Sequence, residues 1–188
     1  MSTQLGPEKT FASDDTSARW PAWLAPALIL GLAAALRLYH LGTENLWIDE
    51  VFSMAQVAAP WDAIERYWDL GTRPLSLVLL YFATLFGDSE FMLRLPYAIV
   101  SILDVGAIYL VSRELAGRRI ALRAALFLAV LPIHVWYAQE ARWYAQWALL
   151  ATLSFLALIR LWKTGHTRWW LMHGVTLALA LYTFVVSI

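Results

Sequence analysis

The chain has no cysteine, which excludes a disulfide framework and any thiolate-held metal. Only four histidines are present and they do not cluster, so no histidine-rich set argues for zinc. Charge is also scarce. Charged residues make up 15% of the 188 residues and the formal net charge is +0, so there is no basic stripe to expect on nucleic acid. The first 19 residues are polar and lack the apolar stretch of a secretory signal peptide. We read them as a tail.

What remains is apolar. Hydrophobic residues form 61% of the chain and the mean hydropathy is +0.58, more than a soluble domain of this length needs to fill its core. The composition predicts an all-α, polytopic transmembrane helix bundle of about five spans. The expected spans are 20–41, 91–112, 120–137, 143–161 and 169–188, each near the length needed to cross roughly 30 Å of hydrocarbon. The run 75–86, between Pro74 and Gly87, is short for a span and reads as an interfacial or re-entrant segment.

Charge distribution orients the bundle. Arg113, Arg118, Arg119 and Arg123 crowd one loop, and Arg160, Lys163 and Arg168 another, so both are expected in the cytoplasm together with the N-terminus. Residues 42–90 then form an outer loop, with short interfacial helices expected at 50–58 and 61–70. Trp20, Trp23, Trp162, Trp169 and Trp170 mark the inner boundary, and Trp47, Trp61, Trp68, Trp136 and Trp143 the outer one.

Two sets of polar residues fall on the outer side. The first is Leu46-Trp47-Ile48-Asp49-Glu50, adjacent carboxylates at a bilayer edge where acids are costly. The second is Tyr137-Ala138-Gln139-Glu140-Ala141-Arg142-Trp143-Tyr144, an acid and a base with almost no connecting sequence. Helical spacing puts Gln139, Arg142 and Gln146 on one face and Tyr137, Glu140 and Tyr144 on the next. Spacing alone leaves Glu140 and Arg142 open between a functional cavity and a solvated turn.

Polar residues elsewhere also admit two readings. Asp104, near the middle of a span, is either a proton site or arginine partner, or a hydrogen-bonded structural residue capped by Ser101. His134 and His40, near the outer boundary, read more readily as hydrogen-bonded structural residues than as site residues.

The ordered motifs Leu46-Trp47-Ile48-Asp49-Glu50, Arg73-Pro74-Leu75, Phe86-Gly87-Asp88-Ser89-Glu90-Phe91 with Arg94-Leu95-Pro96, and Trp136 to Arg142 with Tyr144 resemble the N-terminal half of a GT-C glycosyltransferase. Within that superfamily the chain is similar to the protein O-mannosyltransferase-like branch, which also contains the aminoarabinose transferases of lipid A. The resemblance covers residues 37 to 188 and makes 20–188 the N-terminal part of a GT-C-like transmembrane domain. It implies an inner-membrane enzyme that moves a sugar from a polyprenyl-phosphate carrier, with inversion, to a glycan, lipid or protein acceptor on the outer face.

The resemblance also distributes roles. Asp49 matches the family's first-loop catalytic aspartate, with Glu50 beside it. Arg94 and Arg142 match recurring positions and are candidates for the donor phosphate, with Arg73 a third. Glu140, Tyr137 and Gln139 form the second-loop site. Metal use varies within the superfamily, and a divalent cation would fall to Asp49 and Glu140. Two departures stand out. Arg73-Pro74-Leu75 replaces the common His-Pro-Pro, and the chain has about half the expected spans, as a piece of a longer protein would. The competing class is a non-catalytic membrane module such as a transporter half or a scaffold, but no internal repeat or midplane polar site supports it.

Overall fold

The computed structural model describes residues 21–58 and 74–183. The N-terminal tail, the expected helix 61–70 and Arg73 lie outside the described residues. Seven helices and no strand occur among those described: α1 (Leu24–Leu38), α2 (Ile48–Ala58), α3 (Pro74–Thr84), α4 (Glu90–Val130), α5 (Pro132–Ala138), α6 (Tyr144–Thr164) and α7 (Thr167–Thr183). Two of them, α4 and α6, are long and apolar enough to cross a membrane.

The 41 residues of α4 are two limbs rather than one rod. At Gly117 the backbone takes φ 78° and ψ 178°, a conformation costly for any residue with a Cβ, and the chain turns back. Val105 on the first limb therefore packs with Ala125 and Ala129 on the second, and Ala33 of α1 completes this core. The expected spans 91–112 and 120–137 correspond to these limbs, the second continued by α5. Small alanines let the three segments approach closely, the usual solution where lipid gives no hydrophobic drive for helix association.

A buried arginine holds the break between α4 and α5. Pro132 has no N–H to give the carbonyl of Leu128, and the extended Leu131 interrupts the ladder. Arg37, 0% exposed, replaces those donors: it bonds the oxygens of Leu128 (3.3 Å) and Ala129 (3.0 Å). Its other donors reach Ala33 O, Ser101 Oγ and His134 Nδ1. Because a guanidinium can only donate, His134 Nδ1 must accept, and its Nε2–H faces Asp104 Oδ2 at 3.0 Å. Asp104 thus pairs with His134 and not with Ser101, whose hydroxyl bonds Arg37. Asp104 Oδ1 has no hydrogen-bond partner among the described residues.

The bundle has two chemically different ends. At one, Arg118 bonds the carbonyl of Ala22 before α1, and Glu114 meets Arg160 and Lys163. At the other, the C-terminus of α1, α2 and the loop after α5 converge. The short α3 packs there: Leu80 sits on Leu93, Tyr97, Ala141 and Ala145, and Tyr97 Oη donates to Ser76 O at 3.0 Å. Its 11 residues reach about 16 Å, half the apolar thickness. Apolar side chains such as Phe86, Phe127 and Leu171 face outward, as lipid-facing residues do.

Candidate functional site

The acidic pair opens α2, and its two members have opposite surroundings. Glu50 is the third helical residue, and its Oε2 reaches back to the N–H of Trp47 at 3.2 Å, a capping-box return that needs no partner elsewhere. It nevertheless has one. Arg94 grips Glu50 with Nη2 on Oε2 at 2.7 Å and Nε on Oε1 at 3.0 Å, and the N–H of Ala141 adds a bond to Oε1 at 2.7 Å. The side chain is 0% exposed.

Arg94 is saturated. Beyond Glu50 it donates to the carbonyls of Leu41 (3.2 Å), Glu44 (2.9 Å) and Asn45 (3.2 Å), so all five N–H groups are spent inside the protein. Burying a charge pair costs several kcal/mol per ion unless geometry and extra hydrogen bonds offset it, and this pair has both. Its consequence is mechanical. Arg94 on α4, Glu50 on α2, the loop after α1 and Ala141 in the loop before α6 become one unit. Gly42 lets that loop close on α4: a Cβ there would lie 2.8 Å from Phe91 Cβ and 3.0 Å from its nitrogen.

Asp49 is presented by this unit but not consumed by it. Its side chain is 39% exposed, and among the described residues its one ion pair is with Arg142, Nη2 to Oδ2 at 3.3 Å. Arg142 also donates to Asp49 O (3.1 Å) and Ser53 Oγ (3.3 Å), while its buried Nε has no partner among the described residues. Ser53 was not anticipated from sequence. It sits one helical turn after Asp49, bonds its carbonyl at 2.9 Å, and the i, i+4 spacing was the available signal.

Glu140 lies beside them. Its Oε1 accepts from Trp136 Nε1 at 2.6 Å and its buried Oε2 has no partner among the described residues. Burial, with Glu50 and Asp49 nearby, pushes its carboxyl above the usual range, against the downward pull of Trp136 and Arg142. Trp136, read from sequence as an outer-boundary and motif residue, gains this bond through a second i, i+4 spacing. Gln139 turns away from this cluster: its Nε2 approaches the carbonyls of Leu36, Arg37 and Tyr39, closing the end of α1. Tyr137 stacks on Tyr144 with ring centroids 4.3 Å apart. Both rings line a cleft of about 250 Å³ with Ser101, His134 and apolar neighbours.

The expected phosphate and metal residues are thus only partly gathered. Arg142 is at the site with donor capacity left, whereas Arg94 is at the site with none. No three His, Asp or Glu side chains converge among the described residues, and Asp49 and Glu140 share their space with a guanidinium. The described residues alone do not form a cation cage.

Neither the curated proteins nor the solved structures contain a significant match to the chain. The family model described as dolichyl-phosphate-mannose-protein mannosyltransferase matches residues 75–187. That stretch carries Arg94, Glu140 and Arg142 but begins after Asp49 and Glu50. Covering more than half of the sequence, it shows that the chain belongs to the dolichyl-phosphate-mannose-protein mannosyltransferase family, membrane glycosyltransferases of the GT-C type.

Proposed function

We propose that this chain carries the acceptor-activating end of a glycosyltransferase that moves a sugar from a polyprenyl-phosphate carrier to an acceptor outside the cytoplasmic membrane, with inversion. The observation that carries the reading is the contrast within the acidic pair: Glu50 is sealed under Arg94, and Asp49 is held at the surface by Arg142. A carboxylate meant to take a proton must be positioned yet reachable, and Asp49 is both.

In this reading Asp49 accepts the proton of the acceptor hydroxyl as its oxygen attacks the anomeric carbon. The bond from that carbon to the phosphate oxygen breaks, and its electron pair leaves with the lipid phosphate. Displacement from the opposite face inverts the centre. Arg142 supplies donors toward the charge that develops on the leaving phosphate. Arg73, outside the described residues, is a second donor by its motif. Arg94 is reassigned from phosphate binding to holding Glu50, because it has no free N–H.

The proposed topology is five spans: α1, the two limbs of α4 with α5, α6 and α7. The N-terminus and the arginine-rich turns are cytoplasmic and the Asp49 end is outside. Support comes from the fold's placing of both basic turns and the start of α1 at one end, which the positive-inside bias assigns to the cytoplasm. The stretch 42–90 is then the outer loop of the first part of a GT-C domain, within the branch that joins protein O-mannosyltransferases and aminoarabinose transferases.

The test is transfer from a radiolabelled polyprenyl-phosphate sugar in membranes carrying the full-length protein. Asp49→Asn is expected to lower transfer by about 10²- to 10⁴-fold. Undiminished transfer by the variant would remove Asp49 as the base, whereas no transfer by the wild type would favour the non-catalytic module.

A further inference from the structure

The end of the bundle opposite Asp49 has its own chemistry. The turn at Gly117 and the turn between α6 and α7 are tied together by one acid: Glu114 Oε1 meets Arg160 Nε at 3.1 Å, and Lys163 Nζ bonds both the carboxylate and the carbonyl of Glu114. Within 113–123 and 160–168 stand Arg113, Arg118, Arg119, Arg123, Arg160, Lys163 and Arg168, against that single glutamate. Glu114 spends its charge on Arg160 and Lys163. The other five arginines are exposed and form no ion pair among the described residues.

Aromatic residues rim the same surface. Trp162 is 91% exposed and Trp170 61%, and Trp169 lies under both Arg160 (4.9 Å) and Arg168 (5.1 Å). Exposed Leu115, Ile120 and Leu171 stand beside the arginines. Cations, indoles and aliphatic side chains together match one environment, the level where lipid phosphates meet acyl chains.

We infer that this end is a binding surface for anionic phospholipid headgroups, with the exposed arginines of the two turns clamping lipid phosphates. A guanidinium binds phosphate as a fork, and this surplus of exposed guanidinium groups meets no balancing acid among the described residues. The Glu114 clamp fixes the spacing of the two turns, so the surface is preformed. The surface is independent of the catalytic reading, since it shares no residue with it.

The experiment uses the whole protein in lipid nanodiscs or mixed micelles of phosphatidylcholine with or without phosphatidylglycerol, and native mass spectrometry counts retained lipids. Each basic residue near an anionic surface is worth about a five-fold change in affinity. Wild type is expected to retain phosphatidylglycerol over phosphatidylcholine, and the combined Arg119→Gln, Arg123→Gln and Arg168→Gln variant to lose at least about ten-fold of that preference. Should that variant fold poorly, the preference of wild type is read against salt, which must weaken it. Equal retention of both lipids, a preference untouched by the substitutions or by salt, or complete displacement by inorganic phosphate, the sign of a free-anion site, would each overturn the inference.

Discussion

Asp49 and Glu50 are neighbours in the chain and opposites in the fold. Glu50 accepts four hydrogen bonds from three segments and sees no solvent, while Asp49 faces outward with one arginine beside it. The arginines that hold them differ in the same way: Arg94 has every N–H engaged, whereas the buried Nε–H of Arg142 has no partner among the described residues. The difference teaches which charges build the site and which are left to act. Saturation marks scaffold, and residual capacity marks chemistry.

The scaffold half should break hardest. Arg94→Leu leaves Glu50 buried without its partner, and a loss of about 3–5 kcal/mol of stability is expected in reversible unfolding in detergent. A change under about 1 kcal/mol would mean the pair is ornamental to the fold. The chemical half should show the reverse pattern. Arg142→Lys keeps a positive charge but gives up the fork, so transfer should fall about 10²-fold while the melting temperature changes little. Rescue to full rate by lysine would show that only charge matters there.

The smallest effect concerns pH. Glu140, with its carboxyl raised by burial, favours its protonated form when folded. Its contribution to stability is therefore complete below the ordinary glutamate range of about 4.3 and is lost as pH rises through the raised value. Comparing melting of wild type and Glu140→Gln across that window should show the variant gaining on wild type as pH rises. A difference that stays flat with pH would remove Glu140 from the buried side of the comparison.

Part of this was legible in the sequence. Apolar run lengths and the arginine clusters anticipated the helices and brought Glu140 and Arg142 to the end that holds Asp49. Which acid of the pair is buried was not legible, because neighbours on a helix differ by about 100° and sequence does not say which face meets α4. The glutamate at the third helical position carried a hint, a reach back to Trp47, but its bonds to Arg94 and Ala141 cross more than 40 residues. Likewise the environment of Arg37, near the end of the expected span 20–41, was not legible from sequence. Arg37 is buried because Pro132 leaves carbonyls that only a long donor from another helix can reach.

The division of labour within the pair is tested most directly by measuring transfer and thermal unfolding side by side for Asp49→Asn and Glu50→Gln in the full-length protein. The expected result is a double dissociation: Asp49→Asn loses about 10²- to 10⁴-fold in transfer with its melting temperature nearly intact, and Glu50→Gln melts far earlier. An active Asp49→Asn, or a Glu50→Gln protein of unchanged stability that no longer transfers sugar, would contradict it.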